Sequence, residues 1–543
     1  MTLSLKSRGI RCLPKLWADL LCRRLPSLLS SGFPNPPAVR QVGAPAQPCQ
    51  PPRNPRLTLP LPVLGLALLL AGCAVGPNFK PPAPPRVKGY TAEPPVTTSS
   101  ATQVPGGAAR HFVPGQDISG QWWILFHSRP LADLIEQSLT NNPSLKAAQA
   151  ALIMAREGMI AQKGAYYPSV AAGFSASRQR TSDQISPTPN SGALYYNLFT
   201  PQVSVSYAPD VFGLNRRTLE SLQAQTEQAR CALAATDITL SANVAAAAIQ
   251  EASLREQVAE TRRLLAINQN MLQILRAQLA RGYASQLAVA AQEARMAQIA
   301  ATLPPLLAQL AQQEDLLAVL AGEYPGGPAK PFELASLQLP AELPLSLPSQ
   351  IVTNRPDVRQ AGANLHAACA QVGIAVANRL PNLTLTGDAG TMALQAGRMF
   401  ANGGGFWGVA GALTQPLFEG GALLHKERAA KAAWLQAQEQ YRSTVLTAFQ
   451  NVADTLNALQ QDADALKAAL AAKTAADVTL NLTRRQWQNG CASYLALLSA
   501  EQACGQAAIS LVQARASRYA DTVALFLALG GGWWHRAELA EKS

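Results

Sequence analysis

The chain has 543 residues, of which 48% are apolar and only 14% charged, and its formal net charge is +12. Residues 1–72 hold nine Lys/Arg against Asp19 alone, so eight of the twelve net positive charges belong to one N-terminal stretch and the remainder of the chain is nearly balanced. This excludes the basic folded surface of a nucleic-acid-binding protein, and the Ala- and Leu-rich composition with long helical periods speaks against a string of globular domains.

Arg53 and Arg56 precede an apolar run, Leu57 to Leu70, that is too short for a spanning helix and closes on Leu70-Ala71-Gly72-Cys73. By itself the run reads as a secretory signal or a buried apolar segment. With its cysteine it resembles a bacterial lipobox, which implies cleavage before Cys73, acylation of the Cys73 thiol and, with Ala74 rather than an Asp following, delivery to the outer membrane. Residues 1 to about 50 lie beyond a signal peptide of about 15–30 residues, and no Met occurs between Met1 and Met154. The expectation is an over-extended start, with the true one at a non-Met codon upstream of the apolar run. Cys231, Cys369, Cys491 and Cys504 remain beyond the anchor; no pair has metal-ligand spacing, and they are expected to be buried or idle thiols. His111, His127, His366, His425 and His535 are scattered, so neither a metal nor a cofactor is expected apart from the covalent lipid.

From Ala74 to Gln116, Pro81-Pro82, Pro84-Pro85, Pro94-Pro95 and the Ser/Thr run from Thr97 to Thr102 predict a stiff, extended tether. Trp122-Trp123-Ile124-Leu125-Phe126 forms an aromatic cluster suited to docking that tether, and Leu131 opens the first helix. Asn142-Pro143 interrupts it, because proline restarts a helix rather than continuing one, and Tyr167-Pro168 ends it. Ser169 to Arg178 alternates as a strand, with Val170, Ala172, Phe174 and Ala176 on one face. A polar loop, Thr181 to Asn190, leads to a second strand marked by Val203, Val205 and Tyr207, which ends at Pro209-Asp210-Val211-Phe212-Gly213.

Leu214 to Arg281 follows, 68 residues without Gly or Pro, long enough for a helix of roughly 100 Å. It closes on Gly282-Tyr283-Ala284-Ser285-Gln286-Leu287. The second half repeats the plan: Arg355-Pro356-Asp357-Val358 stands for Asn142-Pro143-Ser144-Leu145 and Leu380-Pro381-Asn382-Leu383 for Tyr167-Pro168-Ser169-Val170, with 25 residues between the two prolines in both halves. Leu383 and Leu385 alternate with Thr384 and Thr386, a Gly-rich loop is predicted over Gly387 to Gly405, and Trp407, Val409 and Leu413 mark a fourth strand that ends at Gln415-Pro416-Leu417-Phe418-Glu419-Gly420-Gly421. Ala422 to Asn489 is a second Gly- and Pro-free run of 68 residues, closing on Gly490-Cys491-Ala492-Ser493-Tyr494-Leu495, so both tips read Gly-x-Ala-Ser-x-Leu. The chain therefore reads as a duplication: leader 1–72, anchor and tether 73–130, first repeat 131–322, connector 323–349, second repeat 350–530 and tail 531–543. The Pro- and Gly-rich connector is expected near mid-length of the long helices, as a belt.

Leu254, Val258, Thr261, Leu265, Asn268, Leu272, Leu275 and Leu279 form one apolar seam, and Leu264, Ile267, Met271 and Ile274 a second beside it; Val452, Leu456, Leu459, Ala463, Leu466 and Leu470 repeat the period. Two adjacent seams let a helix touch a neighbour on both sides, as in a wall of helices, although periodicity alone also fits an ordinary bundle. Each repeat offers two alternating segments of about 10 residues, the length of a tilted membrane strand, and no 20-residue apolar helix is expected after Cys73. Four strands cannot close a barrel, so membrane strands would require several chains.

The lipobox, Trp122-Trp123 with Phe126, Asn142-Pro143, Asp210-Val211-Phe212-Gly213, the two tips, Arg355-Pro356-Asp357, Pro416-Leu417-Phe418 with Gly420-Gly421, and Leu529-Gly530-Gly531-Gly532-Trp533 together resemble TolC-like outer-membrane efflux proteins, specifically the lipidated NodT/OprM-type outer-membrane factor. The resemblance implies a mostly α fold with membrane β, a homotrimeric α/β-barrel whose twelve-strand outer-membrane barrel continues into a twelve-helix periplasmic tunnel. Leu131 to Gly164 and Ser285 to Gly322 are then broken helices stacked end to end, with Pro143 and Pro304-Pro305 supplying breaks. It implies no covalent chemistry, passive conduction of substrates from an inner-membrane pump, and a periplasmic adaptor docking on the tips, where Gly282 and Gly490 make the turn, Ser285 and Ser493 cap the returning helices, Ala284 and Ala492 complete the signature, and Leu287 and Leu495 plug an adaptor groove. Some relatives carry gate carboxylates where this chain has Ala496 and Ser499, with Ala288 and Ala291 in the first half, so closure by packing and hydrogen bonding among the tips is expected instead. The competing reading is a lipid-anchored, trimeric coiled-coil protein of the envelope without a lumen, which predicts one dominant seam and no membrane strands. An enzyme lacks support, with neither a phosphate-binding Gly loop nor a nucleophile beside a His, and capping is expected to explain Arg355-Pro356-Asp357.

Overall fold

A computed structural model describes residues 74–85, 87, 89–91, 96–180, 195–327, 331–536 and 539; the leader, Cys73 and the predicted loop Thr181 to Asn190 lie outside them. In chain order the elements are β1 (His111–Pro114), a 3-10 turn (Trp122–Phe126), α1 (Arg129–Asn141), α2 (Pro143–Lys163), β2 (Ser169–Arg180), β3 (Tyr195–Tyr207), α3 (Leu214–Ala280), α4 (Gln286–Leu320), β4 (Glu342–Leu345), α5 (Pro348–Asn354), α6 (Pro356–Ala377), β5 (Asn382–Thr391), β6 (Gly405–Thr414), α7 (Ala422–Gln488) and α8 (Tyr494–Ala528). The two long helices, α3 and α7, have 67 residues each. Their starts are set alike by a left-handed glycine, Gly213 at φ 82° and Gly421 at φ 84°, a conformation that costs glycine little.

The helices form four staves. Along α3, α2 packs on one half and α4 on the other; α6 and α8 fill the space between α3 and α7 in the same stacked manner. Pro143 does break the first short helix: Asn142 is extended and its side chain accepts the Ser144 N–H at 2.9 Å, while its Nδ2 donates to the Leu320 carbonyl that ends α4, at 3.0 Å. Pro304 and Pro305, by contrast, lie inside a continuous α4. Both are exposed, where carbonyls deprived of an N–H partner can take water and a proline φ still fits a helix. The first helix opens at Arg129 rather than Leu131, with Pro130 in its first turn.

The four membrane-length strands form one antiparallel sheet in the order β2-β3-β5-β6. That order matches the stave order, because each strand joins the helix of its own stave at the same end of the sheet. The register puts Val170, Ala172 and Phe174 opposite Val205, Val203 and Pro201, then Val203 and Val205 opposite Ala389 and Gly387, then Leu383, Gly387 and Ala389 opposite Leu413, Val409 and Trp407. One face is therefore apolar across all four strands, and the other carries Ser169, Ser175, Ser204, Ser206, Gln202, Thr384, Thr386 and Asp388. The predicted Gly-rich loop is shorter than Gly387 to Gly405, since β5 runs to Thr391. Gly390 belongs to the strand because a Cβ there would meet the Pro201 carbonyl at 2.5 Å; the glycine serves close strand approach, not a turn.

The main core lies at mid-length of the long helices. Trp122, Trp123 and Phe126 are buried, and Trp122 stacks on Phe526 with ring centres 5.3 Å apart. The connector reaches the same level: the Phe332 N–H bonds Glu251 at 3.2 Å, Leu334 and Leu337 are buried, and β4 pairs in parallel with β1 of the tether. Arg110 donates to Thr522 at 2.6 Å and Arg518 to the Ala108 carbonyl at 2.6 Å, pinning the tether across α8. Against expectation, α3 and α8 each contain a stretch long and apolar enough to cross a membrane by composition. Alanine-rich helix faces produce that composition, and the α3 stretch is 67% buried within the fold.

Candidate functional site

Each tip ends its long helix with the same double hydrogen bond. The Tyr283 N–H reaches the Gln278 carbonyl and the Gly282 N–H the Leu279 carbonyl, both at 2.9 Å; Cys491 reaches Gln486 at 2.8 Å and Gly490 reaches Trp487 at 3.0 Å. Gly282 and Gly490 stand at φ 79° and 74°, the left-handed residue of a Schellman ending. The Ser285 and Ser493 hydroxyls then accept the Ala288 and Ala496 N–H groups, each at 3.2 Å, which caps α4 and α8. Ala284 and Ala492 are half-buried, whereas Leu287 and Leu495 are 79% and 65% exposed. Two large apolar side chains are thus held in solvent by turns whose backbone needs are met internally.

Ala496 and Ser499 are exposed and Ala288 and Ala291 half-buried, so none of these positions supplies a charge. Polar contacts lie slightly inward instead. Gln292 is fully buried; the Tyr494 hydroxyl donates to its Oε1, and its Nε2 donates to the carbonyl and Oδ1 of Asn268 at 2.8 and 3.0 Å. This network ties the first hairpin, α3 and α4, to the start of α8, over a small core of Met271, Leu272, Leu275, Val289 and Leu497. Burial pushes the Tyr494 hydroxyl well above the ordinary tyrosine range. Each hairpin also carries an Arg–Glu pair at equivalent positions, Arg276 with Glu293 at 2.6 Å and Arg484 with Glu501 at 3.7 Å. Burial raises the Glu501 carboxyl against the pull of Arg484.

The sequence placed Asn268, Met271, Leu272 and Leu275 on the helix seams but gave no sign of the polar network: Tyr494 is the variable position of its signature, and Gln292 carries no motif. The Arg–Glu pairs were legible, since Arg276 and Arg484, like Glu293 and Glu501, are offset by the same 208 residues as Gly282 and Gly490. Arg355 also does more than open α6: it chelates Asp357 at 3.0 and 2.6 Å and donates to the Ala448 and Ala528 carbonyls at 3.3 and 2.8 Å.

Cys73 lies outside the described residues, but the chain after it is held tightly. Arg217, near the start of α3 and buried, donates to the Val75 and Gly76 carbonyls at 3.0 and 3.3 Å and to Asn78 Oδ1 at 2.7 Å, and Glu220 neutralises it at 2.7 Å. Phe79 stacks on His366 with ring centres 4.2 Å apart. A Cβ on Gly213 would lie 2.6 Å from the Ala74 Cα, so the segment sits against the junction of β3 and α3.

The profile of the family described as "Outer membrane efflux protein" matches residues 134–323 and 347–531. The toluene efflux pump outer membrane protein TtgC of Pseudomonas putida is 32% identical over 486 residues, covering 88% of this chain and 96% of that protein. The pyoverdine export outer membrane protein OpmQ of Pseudomonas putida is 29% identical over 493 residues, covering 88% and 98%. Among solved structures, the outer-membrane channel OprN superposes with a TM-score of 0.75 at 25% identity, covering 85% of this chain and all of that one. The outer membrane protein VceC of Vibrio cholerae gives 0.71 at 26% identity, covering 77% and 100%. Their names describe an efflux-pump protein, an export protein, a channel and a further outer-membrane protein, and nothing among them favours a lumen-less structural coiled coil. The two-faced sheet, the stacked staves and these matches converge on one assignment: the chain belongs to the outer membrane efflux protein family and is an outer-membrane component of an efflux system.

Proposed function

We propose that three copies of this chain form the exit channel of a tripartite efflux pump, with β2, β3, β5 and β6 from each copy closing a twelve-strand barrel and the four staves from each continuing it as a twelve-helix periplasmic tunnel. The observation that carries this reading is that sheet and staves end at the same two edges. β2 and β6 are edge strands, and below them α2, α4 and α7 expose Ile153, Met154, Leu307, Leu316, Leu435 and Leu446. Unpaired backbone edges are untenable in lipid, and exposed apolar side chains on both flanks call for a neighbour. Copies related by a rotation satisfy both at once, and three bring the strand count from four to twelve, above the eight of the smallest barrels.

Conduction is passive: the Ser, Thr and Gln face of the sheet lines the pore and the apolar face meets outer-membrane lipid. An adaptor delivering cargo from an inner-membrane pump docks on the tips through Leu287 and Leu495, with Gly282, Ala284, Ser285, Gly490, Ala492 and Ser493 setting their presentation. Closure rests on packing and on the Tyr494–Gln292–Asn268 network, with Ala496 and Ser499 uncharged at the mouth. Acylation of Cys73 adds a lipid anchor, and Arg217 holds the residues from Val75 to Asn78 that follow it. Purified protein in a planar bilayer should conduct and cross-link as a trimer; a monomeric, non-conducting product overturns the proposal.

A further inference from the structure

The apolar face of β2 ends in charge. Arg178 and Arg180 continue the alternation of Val170, Ala172, Phe174 and Ala176, so they share the apolar face rather than the polar one. Both are exposed. Arg180 pairs across the register with Tyr195, its guanidinium carbon 5.6 Å from the ring centre, and Arg178 pairs with Asn197. Arg398, also exposed, lies in the β5–β6 connection at the same end of the sheet. Among the described residues of the four strands and that connection the one carboxylate is Asp388, which stands on the opposite face, and no ion pair among the described residues involves any of these arginines.

The distance along the strand gives the position meaning. Arg178 is nine residues from Ser169, where β2 leaves the helices, about 30 Å along a strand rising about 3.3 Å per residue. Tilted by about 40°, that is a height of about 23 Å, close to the roughly 25 Å apolar band of outer-membrane barrels. The arginines therefore clear the band on its lipid side, at headgroup level, beside an aromatic ring of the kind found at membrane interfaces. A guanidinium matches a phosphate by bidentate hydrogen bonding.

We infer that Arg178 and Arg180, with Tyr195 beside them, form a surface that binds the phosphate groups of outer-leaflet lipid. This rests on the reading of β2 as a membrane strand. The test uses the full chain in detergent, titrated with lipid A and with lipid A stripped of its phosphates, and bound lipid is counted by native mass spectrometry. Wild type should prefer the phosphorylated form, the R178Q/R180Q double variant should bind it about thirty-fold more weakly, and R178K/R180K should retain most of the binding. Equal binding of both lipids by wild type, equal binding by wild type and R178Q/R180Q, or displacement of lipid A by inorganic phosphate alone overturns the inference. Conductance of the same preparations separates the two claims: normal conductance without lipid discrimination overturns this inference and leaves the channel standing, whereas absent conductance overturns both.

Discussion

The Arg355 guanidinium donates to the Ala528 carbonyl at 2.8 Å, and at the equivalent joint of the first repeat the Asn142 carboxamide donates to the Leu320 carbonyl at 3.0 Å. Both bonds satisfy the last carbonyls of one short helix with the residue that precedes the proline of the next. Two helices stacked end to end thereby act as one stave, with a side chain replacing the missing turn.

The two joints should differ in sensitivity. Arg355→Met strands the buried Ala528 carbonyl, removes the second donor of the Ala448 carbonyl and breaks the ion pair to Asp357, which keeps the Val358 N–H. Losing charge-assisted bonds of this kind should cost about 3 kcal/mol, whereas Asn142→Ala removes one cap and one neutral bond and should cost about 2 kcal/mol. Thermal unfolding of the detergent-purified protein measures both, and equal losses contradict the assignment.

Loosening the tip network should open the channel at rest. Tyr494→Phe removes the hydroxyl that bonds buried Gln292. One lost hydrogen bond of about 1 kcal/mol predicts about a five-fold rise in open probability, read as resting conductance in a planar bilayer. Divalent cations should not block wild type; a block that maps to the tips contradicts closure without an acidic ring.

Stability should depend on pH through Asp462. Burial, with the Asp521 carboxyl beside it, pushes Asp462 from 3.8 up to about 7 against the pull of Arg110 and Arg518. In that window the folded protein holds a proton that the unfolded chain releases, so this group's contribution falls as pH rises. Asp462→Asn should therefore match wild type in Tm below pH 3.8 and exceed it increasingly up to about 7; a constant offset across the window removes Asp462 as the cause.

The anchor and its clamp should separate. Cys73→Ala should abolish palmitate labelling yet leave the protein in the outer membrane, held by its strands. Arg217→Ala should leave labelling intact but expose the segment from Ala74 to Phe79 to limited proteolysis, since four hydrogen bonds to it are lost. Labelling that persists in Cys73→Ala refutes the lipid assignment.

The duplication, the bounds of the long helices, the Pro143 break, the tip turns and the strand alternation were all legible in residue order, because each follows from local rules: helix period, proline chemistry, left-handed glycine and the two-residue repeat of a strand. Residue order also carried the family resemblance. What it did not carry depends on which distant elements cover a residue and which leave it exposed. Gly390 belongs to a strand because β3 passes against it, and Pro304-Pro305 stay helical because that part of α4 is exposed. Gln292 and Tyr494, Arg355 and Ala528, and Arg217 and Val75 acquire their roles only where separate elements meet. Local preference determines which segments are helices and strands, and only tertiary packing decides which buried polar groups find a partner.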